Sequence, residues 1–351
     1  MPHPHARTTP PAVAVPDHVL RQEDVAAHLE AFFPGKNPVA LARLLSVFGN
    51  TGIKTRYSCV PPEWYEHPHG WAEKNRLYLE HATGLLERAA REAVERASLD
   101  LSQIDAVVAV SSTGIATPSL DALLIERLGL RRETRRLPLF GLGCAGGVIG
   151  LARAADMARL EPGSKVLLLV VELCGLTFRR RDISKSNVIA AALFGDGAAA
   201  TVVSTTGEGV LELGPSGEHT WPGSLDVMGW TVEEDGLGVI FSRDIPTLTR
   251  TDFAKAVRAF LARHDLTLAD VDHFACHPGG AKVLDALEDV FDLPRGGLVA
   301  PRRVIRDFGN MSAVTVLFVL RELLATGATG RFLLSTLGPG FTAAFLTASS
   351  R

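Results

Sequence analysis

The chain is poor in the features that mark many protein classes. Its four cysteines, Cys59, Cys144, Cys174 and Cys276, lie far apart and make no CxxC pair. Together with the absence of a signal peptide, that spacing excludes a disulfide scaffold or zinc module and leads us to expect a reduced, cytoplasmic protein. No apolar run reaches the roughly 18 residues of a membrane span. The longest, after Lys165, stops at Glu172 and reads as a buried strand, so no stable membrane insertion is expected. Charge has no dominant sign: 36 Lys and Arg oppose 39 Asp and Glu, for a net charge of −3. Such a balance offers no electrostatic case for nucleic acid or an anionic membrane. Aromatic residues are sparse at 7%, and Trp64, Trp71 and Tyr78 interleave with no basic stripe. They read as packing rather than base-stacking platforms.

What is present is core material: 46% hydrophobic residues in 351, enough for two domains or one large two-part unit. Residues 1–18, rich in Pro, His and Thr without periodicity, are expected to form a disordered tail, which makes His3, His5 and His18 poor metal ligands. The rest contains an internal repeat. Leu99–Asp105 with the strand Ala106–Val110 matches Leu266–Asp272 with His273–Cys276 at a shift of 167 positions (272 minus 105). Gly143-Cys144, a helix and the strand after Gly163 match Gly309-Asn310, a helix and the strand after Gly330 at a shift of 166 (310 minus 144). The expectation is an α/β protein of two duplicated halves, 19–205 and 206–351, with Cys144 and Asn310 at equivalent strand ends. Ligands of α/β sheets gather at such carboxyl ends.

The stretch Phe140-Gly-Leu-Gly-Cys144-Ala-Gly-Gly147 joins a strand to a small-residue helix. A cysteine there is either a buried structural residue or a nucleophile whose thiolate the helix N-terminus favours. Cys276-His277-Pro-Gly-Gly280 places a histidine at another strand end, where it could pair with a thiol. Asn310, in Gly309-Asn-Met-Ser312, is either a turn residue or an uncharged oxyanion donor.

Gly143-Cys-Ala-Gly-Gly147, His277-Pro-Gly-Gly280, Gly309-Asn-Met-Ser312 and Gly338-Pro-Gly340 together resemble the signature set of type III polyketide synthases, the chalcone synthase-like family. Phe194-Gly-Asp-Gly-Ala-Ala-Ala200 is similar to a segment of thiolase-like condensing enzymes at large. The resemblance runs from about Val19 to the C-terminus. It implies a thiolase-like αβαβα layered fold, a homodimer, and CoA thioesters as substrates with no metal or redox cofactor. Cys144 would carry the acyl chain, His277 would keep it as thiolate, and His277 with Asn310 would drive malonyl-CoA decarboxylation and hold the enolate.

Phe194 would be one gatekeeper, and Val239 would stand where the family's second gate phenylalanine usually lies, widening the gate. Thr177, Ser312, Cys174, Thr117, Trp230, Gly338, Pro339 and Gly340 would shape the cavity. Of the family's CoA cations Arg43 is present, while Ser46 and Asn50 replace basic residues, with Lys54 and Arg56 as substitutes. The stretch Glu172–Lys185 is similar to bacterial alkylpyrone and alkylresorcinol synthases, implying a medium or long aliphatic acyl-CoA starter. Ketoacyl-ACP synthase III, or a short or aromatic starter, remains the alternative.

Overall fold

The computed structural model describes residues 4–28, 46–207 and 209–350. One sheet of ten strands organises them. Its first half contains β1 (Arg7–Thr8), β2 (Ala12–Ala14), β5 (Ala106–Val110), β6 (Arg135–Leu139), β7 (Val166–Leu173) and β8 (Asp196–Ser204). The second contains β9 (Leu211–Thr220), β12 (His273–Cys276), β13 (Gly330–Gly338) and β14 (Thr342–Ser350). The order is β12-β13-β14-β9-β1-β8-β7-β5-β6, with β2 beside β8. Two hairpins stand apart: β3 (His18–Arg21) with β4 (Thr55–Ser58), and β10 (Met228–Glu233) with β11 (Gly236–Phe241).

The repeat is visible element by element. Leu101–Gln103 and Leu268–Asp270 are both 3-10 turns closed by a capping box, and each leads into a strand, β5 or β12. Gly143–Ala145 and Ser312–Val314 are both 3-10 turns that open a helix, Gly146–Leu160 or Thr315–Ala325. These two helices pack together in the middle of the molecule, in one core with strands of both halves. Small residues permit it: a Cβ on Gly147 would lie 2.2 Å from the Ala313 carbonyl oxygen. The long helix Trp71–Arg96 covers the outer face of one half. Ala254–Ala262 and Ala281–Val290 cover the other. The layers are therefore helix, one half of the sheet, helix pair, the other half of the sheet, helix.

Two expectations change. The segment 1–18 is no disordered tail over its described residues, because β1 pairs with both β8 and β9, and β2 with β8. Ala6, Thr8 and Ala12 are fully buried, and the hydroxyls of Thr8 and Thr9 meet that of Thr201 at 2.7 and 3.0 Å. Strands of two and three residues are too short to leave a periodic trace. Glu172 does not end the apolar strand at the solvent either; it lies fully buried inside β7.

Candidate active site

Cys144 sits in the 3-10 turn that starts the central helix, after Gly143 at φ +45°. The residues behind it leave no slack: a Cβ on Gly143 would touch the Pro339 ring at 2.6 Å, and one on Gly338 would meet Ala145 at 2.7 Å. Gly338 and Pro339, expected to shape the cavity, buttress this elbow, whereas Gly340 lies nearest Leu225 and Thr342. His277 follows β12, and its backbone N–H continues the ladder to the Ser335 carbonyl at 2.9 Å. Asn310 precedes the matching elbow of the second half. Its Oδ1 accepts from the Ser312 N–H at 2.8 Å, and its Nδ2 donates to the Gly279 carbonyl at 3.3 Å.

Cys144, His277 and Asn310 line one cavity of about 640 Å³, with Leu193, Met228, Phe241, Thr336 and Leu337 among its walls. All three polar side chains are buried. The Cys144 Sγ donates to Ser312 Oγ across 3.5 Å, and neither ring nitrogen of His277 has a hydrogen-bond partner among the described residues. Burial pushes the Cys144 thiol up to about 12 and holds His277 down at about 4. Both shifts have desolvation as their largest cause, and both favour the uncharged forms of the two groups.

The remaining expected residues divide. Cys174, Thr177 and Phe194 line a second, narrow pocket of about 50 Å³ with Leu20, Val25, Phe48 and Phe178. Burial raises the Cys174 thiol well above normal, and Glu172, Asp196 and Cys144 act in the same direction. Val239 does not leave the gate open. It lies directly across the hairpin from Trp230, whose ring meets Phe194 edge-on at 6.0 Å. Phe241, two residues on and on the same face, also meets Phe194, with ring centroids 5.8 Å apart. Thr117 is exposed and lines neither pocket. Arg43 lies outside the described residues.

Lys54 is exposed and Arg56 is buried, and neither is among the residues that line the large cavity. The cations that do line the large cavity are Lys185, Arg243 and Lys282, all exposed. Sequence reasoning missed them because lone surface cations carry no local signature. Glu172 was also missed. It accepts from the Ser112 N–H at 2.9 Å, while Ser112 Oγ accepts from the Gly143 N–H at 3.0 Å, linking it to the elbow. Burial raises Glu172 to about 8. An acid ending an apolar run two residues before Cys174 was the available signal.

Two elbows on paired central helices, facing one cavity, make this a condensing enzyme of the thiolase-like fold. 1,3,6,8-Tetrahydroxynaphthalene synthase from Streptomyces coelicolor, a bacterial type III polyketide synthase, superposes with a TM-score of 0.93 at 29% identity, over 98% of this chain and 99% of that one. The family models for chalcone and stilbene synthases match residues 10–207 (N-terminal domain) and 212–345 (C-terminal domain), and the chain belongs to that family, the type III polyketide synthases. It is 39% identical over 322 residues to a putative chalcone synthase of Bacillus subtilis, covering 87% of this chain and 88% of the relative. It is 37% identical over 345 residues to a 1,3,6,8-tetrahydroxynaphthalene synthase of Streptomyces peucetius, covering 95% and 90%. The enzyme is accordingly an acyltransferase of the polyketide synthase class, working by decarboxylative condensation.

Proposed function

We propose that this synthase loads a medium or long aliphatic acyl-CoA onto Cys144 and extends it with malonyl-CoA to an alkylpyrone or alkylresorcinol. The Cys144 sulfur attacks the starter carbonyl, its proton passes to His277, and CoA leaves as the thiol. Malonyl-CoA then loses CO₂, and the resulting enolate oxygen accepts from the His277 and Asn310 N–H groups. Fixed donors in a dry cavity are worth far more to such an oxyanion than water is. The enolate carbon bonds to the acyl carbonyl and expels the Cys144 thiolate. Lys185, Arg243 and Lys282 are the cations available to the CoA phosphates. No step requires a metal or redox cofactor. Ile115 and Phe140, large apolar side chains exposed on the loops after β5 and β6, support a homodimer.

The observation that supports the aliphatic reading is the narrow, mainly apolar pocket walled by Cys174 and Phe194 together with Leu20, Val25, Phe48, Phe178 and Ala190. Each methylene buried there would contribute roughly 0.8 kcal/mol, about fourfold in affinity. The test incubates the enzyme with malonyl-CoA and acyl-CoAs from acetyl to hexadecanoyl and measures product masses. Preference for eight carbons or more supports the reading; turnover of malonyl-CoA alone as starter and extender overturns it. Cys144→Ala should make no product.

A further inference from the structure

We propose that Arg56 is a positioning residue that locks the gate phenylalanine to the active-site asparagine. It rests on the function proposed above. Arg56 lies on β4 and is 3% exposed. Its Nη1 donates to the Ala191 carbonyl at 2.6 Å and to the Phe194 carbonyl at 2.8 Å. Both acceptors belong to the C-terminal end of the helix Lys185–Leu193, for which Phe194 is the extended capping residue. The last carbonyls of a helix have no partners within it, and a cation there also complements the helix dipole. The guanidinium thus fixes where the helix stops and where the Phe194 ring begins.

The same turn is tied to the active site. The Asn310 N–H donates to the Leu193 carbonyl at 2.8 Å, and the Gly195 N–H donates to the Asn310 carbonyl at 3.0 Å. These two bonds bracket Phe194, which forms an isolated parallel bridge with Asn310. The packing leaves no play. A Cβ on Gly309 would meet Arg56 Cγ at 2.8 Å and the Leu193 carbonyl at 2.9 Å, and one on Gly195 would meet the Phe308 carbonyl at 2.5 Å.

Asp196, two residues past Phe194 and fully buried, completes the frame. Its carboxylate accepts from the N–H of Gly175 at 2.7 Å and of Cys59 at 2.9 Å, and its charge acts on Arg56. Gly175 belongs to the turn carrying Cys174 and Thr177. Phe194 and Cys174, two walls of the narrow pocket, are therefore held by two buried charged side chains, Arg56 on the Phe194 side and Asp196 on the Cys174 side. A cation turned inward in this way has no surface to offer the phosphates of CoA.

Arg56→Met keeps most of the bulk and removes the donors. Its condensation kcat should fall on the order of 10²-fold, the scale of an ångström-level misplacement, with KM for malonyl-CoA within about twofold of wild type. Alkylation of Cys144 by iodoacetamide should become severalfold faster as the gate loosens, and Arg56→Lys should recover most of both changes. A raised KM at unchanged kcat would make Arg56 a CoA contact and overturn the proposal. So would a lowered Tm with kcat per acylatable Cys144 and the alkylation rate both as in wild type, since that is a purely structural role. If Arg56→Met does not fold, Arg56→Lys decides alone: wild-type kcat, chain-length profile and alkylation rate overturn the proposal, whereas a shift in profile or alkylation rate supports it. Failure of the wild type to use aliphatic acyl-CoA would sink the starter assignment only, because the alkylation readout does not involve a starter.

Discussion

At the scale of single residues, desolvation governs the active site. His277 is buried without a hydrogen-bond partner among the described residues, so its neutral form is favoured and its folded value drops from 6.5 to about 4. A base with a depressed folded pKa contributes stability that is complete above its unfolded value and is lost as pH falls through the folded one. Between pH 7 and pH 4 the wild type should therefore lose about 3 kcal/mol more than His277→Gln, which has no group to titrate. Urea denaturation at the two pH values measures the difference. Buried carboxyls such as Asp196, raised to about 6 by desolvation, push the other way but are common to both proteins and cancel. Equal losses would show that His277 is solvated in solution.

At the scale of elements, the hairpin β10–β11 decides how much room the gate leaves. Trp230 and Val239 are directly opposed, and Phe194, Trp230, Val239, Phe241, Cys174 and Ala190 form one cluster. The volume that valine releases is filled by the indole across the ladder. Val239→Phe should therefore overpack the cluster and cost about 1–3 kcal/mol, read as a lower Tm. Trp230→Ala should open the space and extend the longest accepted starter, read as a shift of product masses to longer chains. A Trp230→Ala enzyme with the wild-type chain-length profile would show that the indole sets no limit. From sequence alone the gate fell on Val239, because positions 239 and 241 lie on the same face of a strand and alignment by residue type cannot choose between them.

At the scale of the whole molecule, the two halves share one sheet because β1 pairs with β8 on one side and β9 on the other. Without it both strands would present unpaired edges, which invite aggregation. Removal of residues 1–9 should lower Tm by several degrees and increase aggregation on heating; a disordered tail could be removed with neither effect. Differential scanning calorimetry with light scattering distinguishes the two outcomes. No helix among the described residues is long and apolar enough to cross a membrane.

The sequence by itself determined the duplicated layered architecture and the triad of Cys144, His277 and Asn310. Both rest on local signals: glycines and small residues required where chains cross closely, and polar residues at strand ends that recur at a near-constant shift. What only the tertiary structure decided depends on groups far apart in the chain. Arg56 reads as a surface cation in the run Lys54–Tyr57 until Ala191 and Phe194, about 140 positions away, turn it inward to cap a helix. Lys185, Arg243 and Lys282 line one cavity only because a helix, the loop after a hairpin and a second helix converge there. The upward shift of Cys144 and the downward shift of His277 are likewise properties of burial. Desolvation is summed over every surrounding atom, and no stretch of sequence contains that sum.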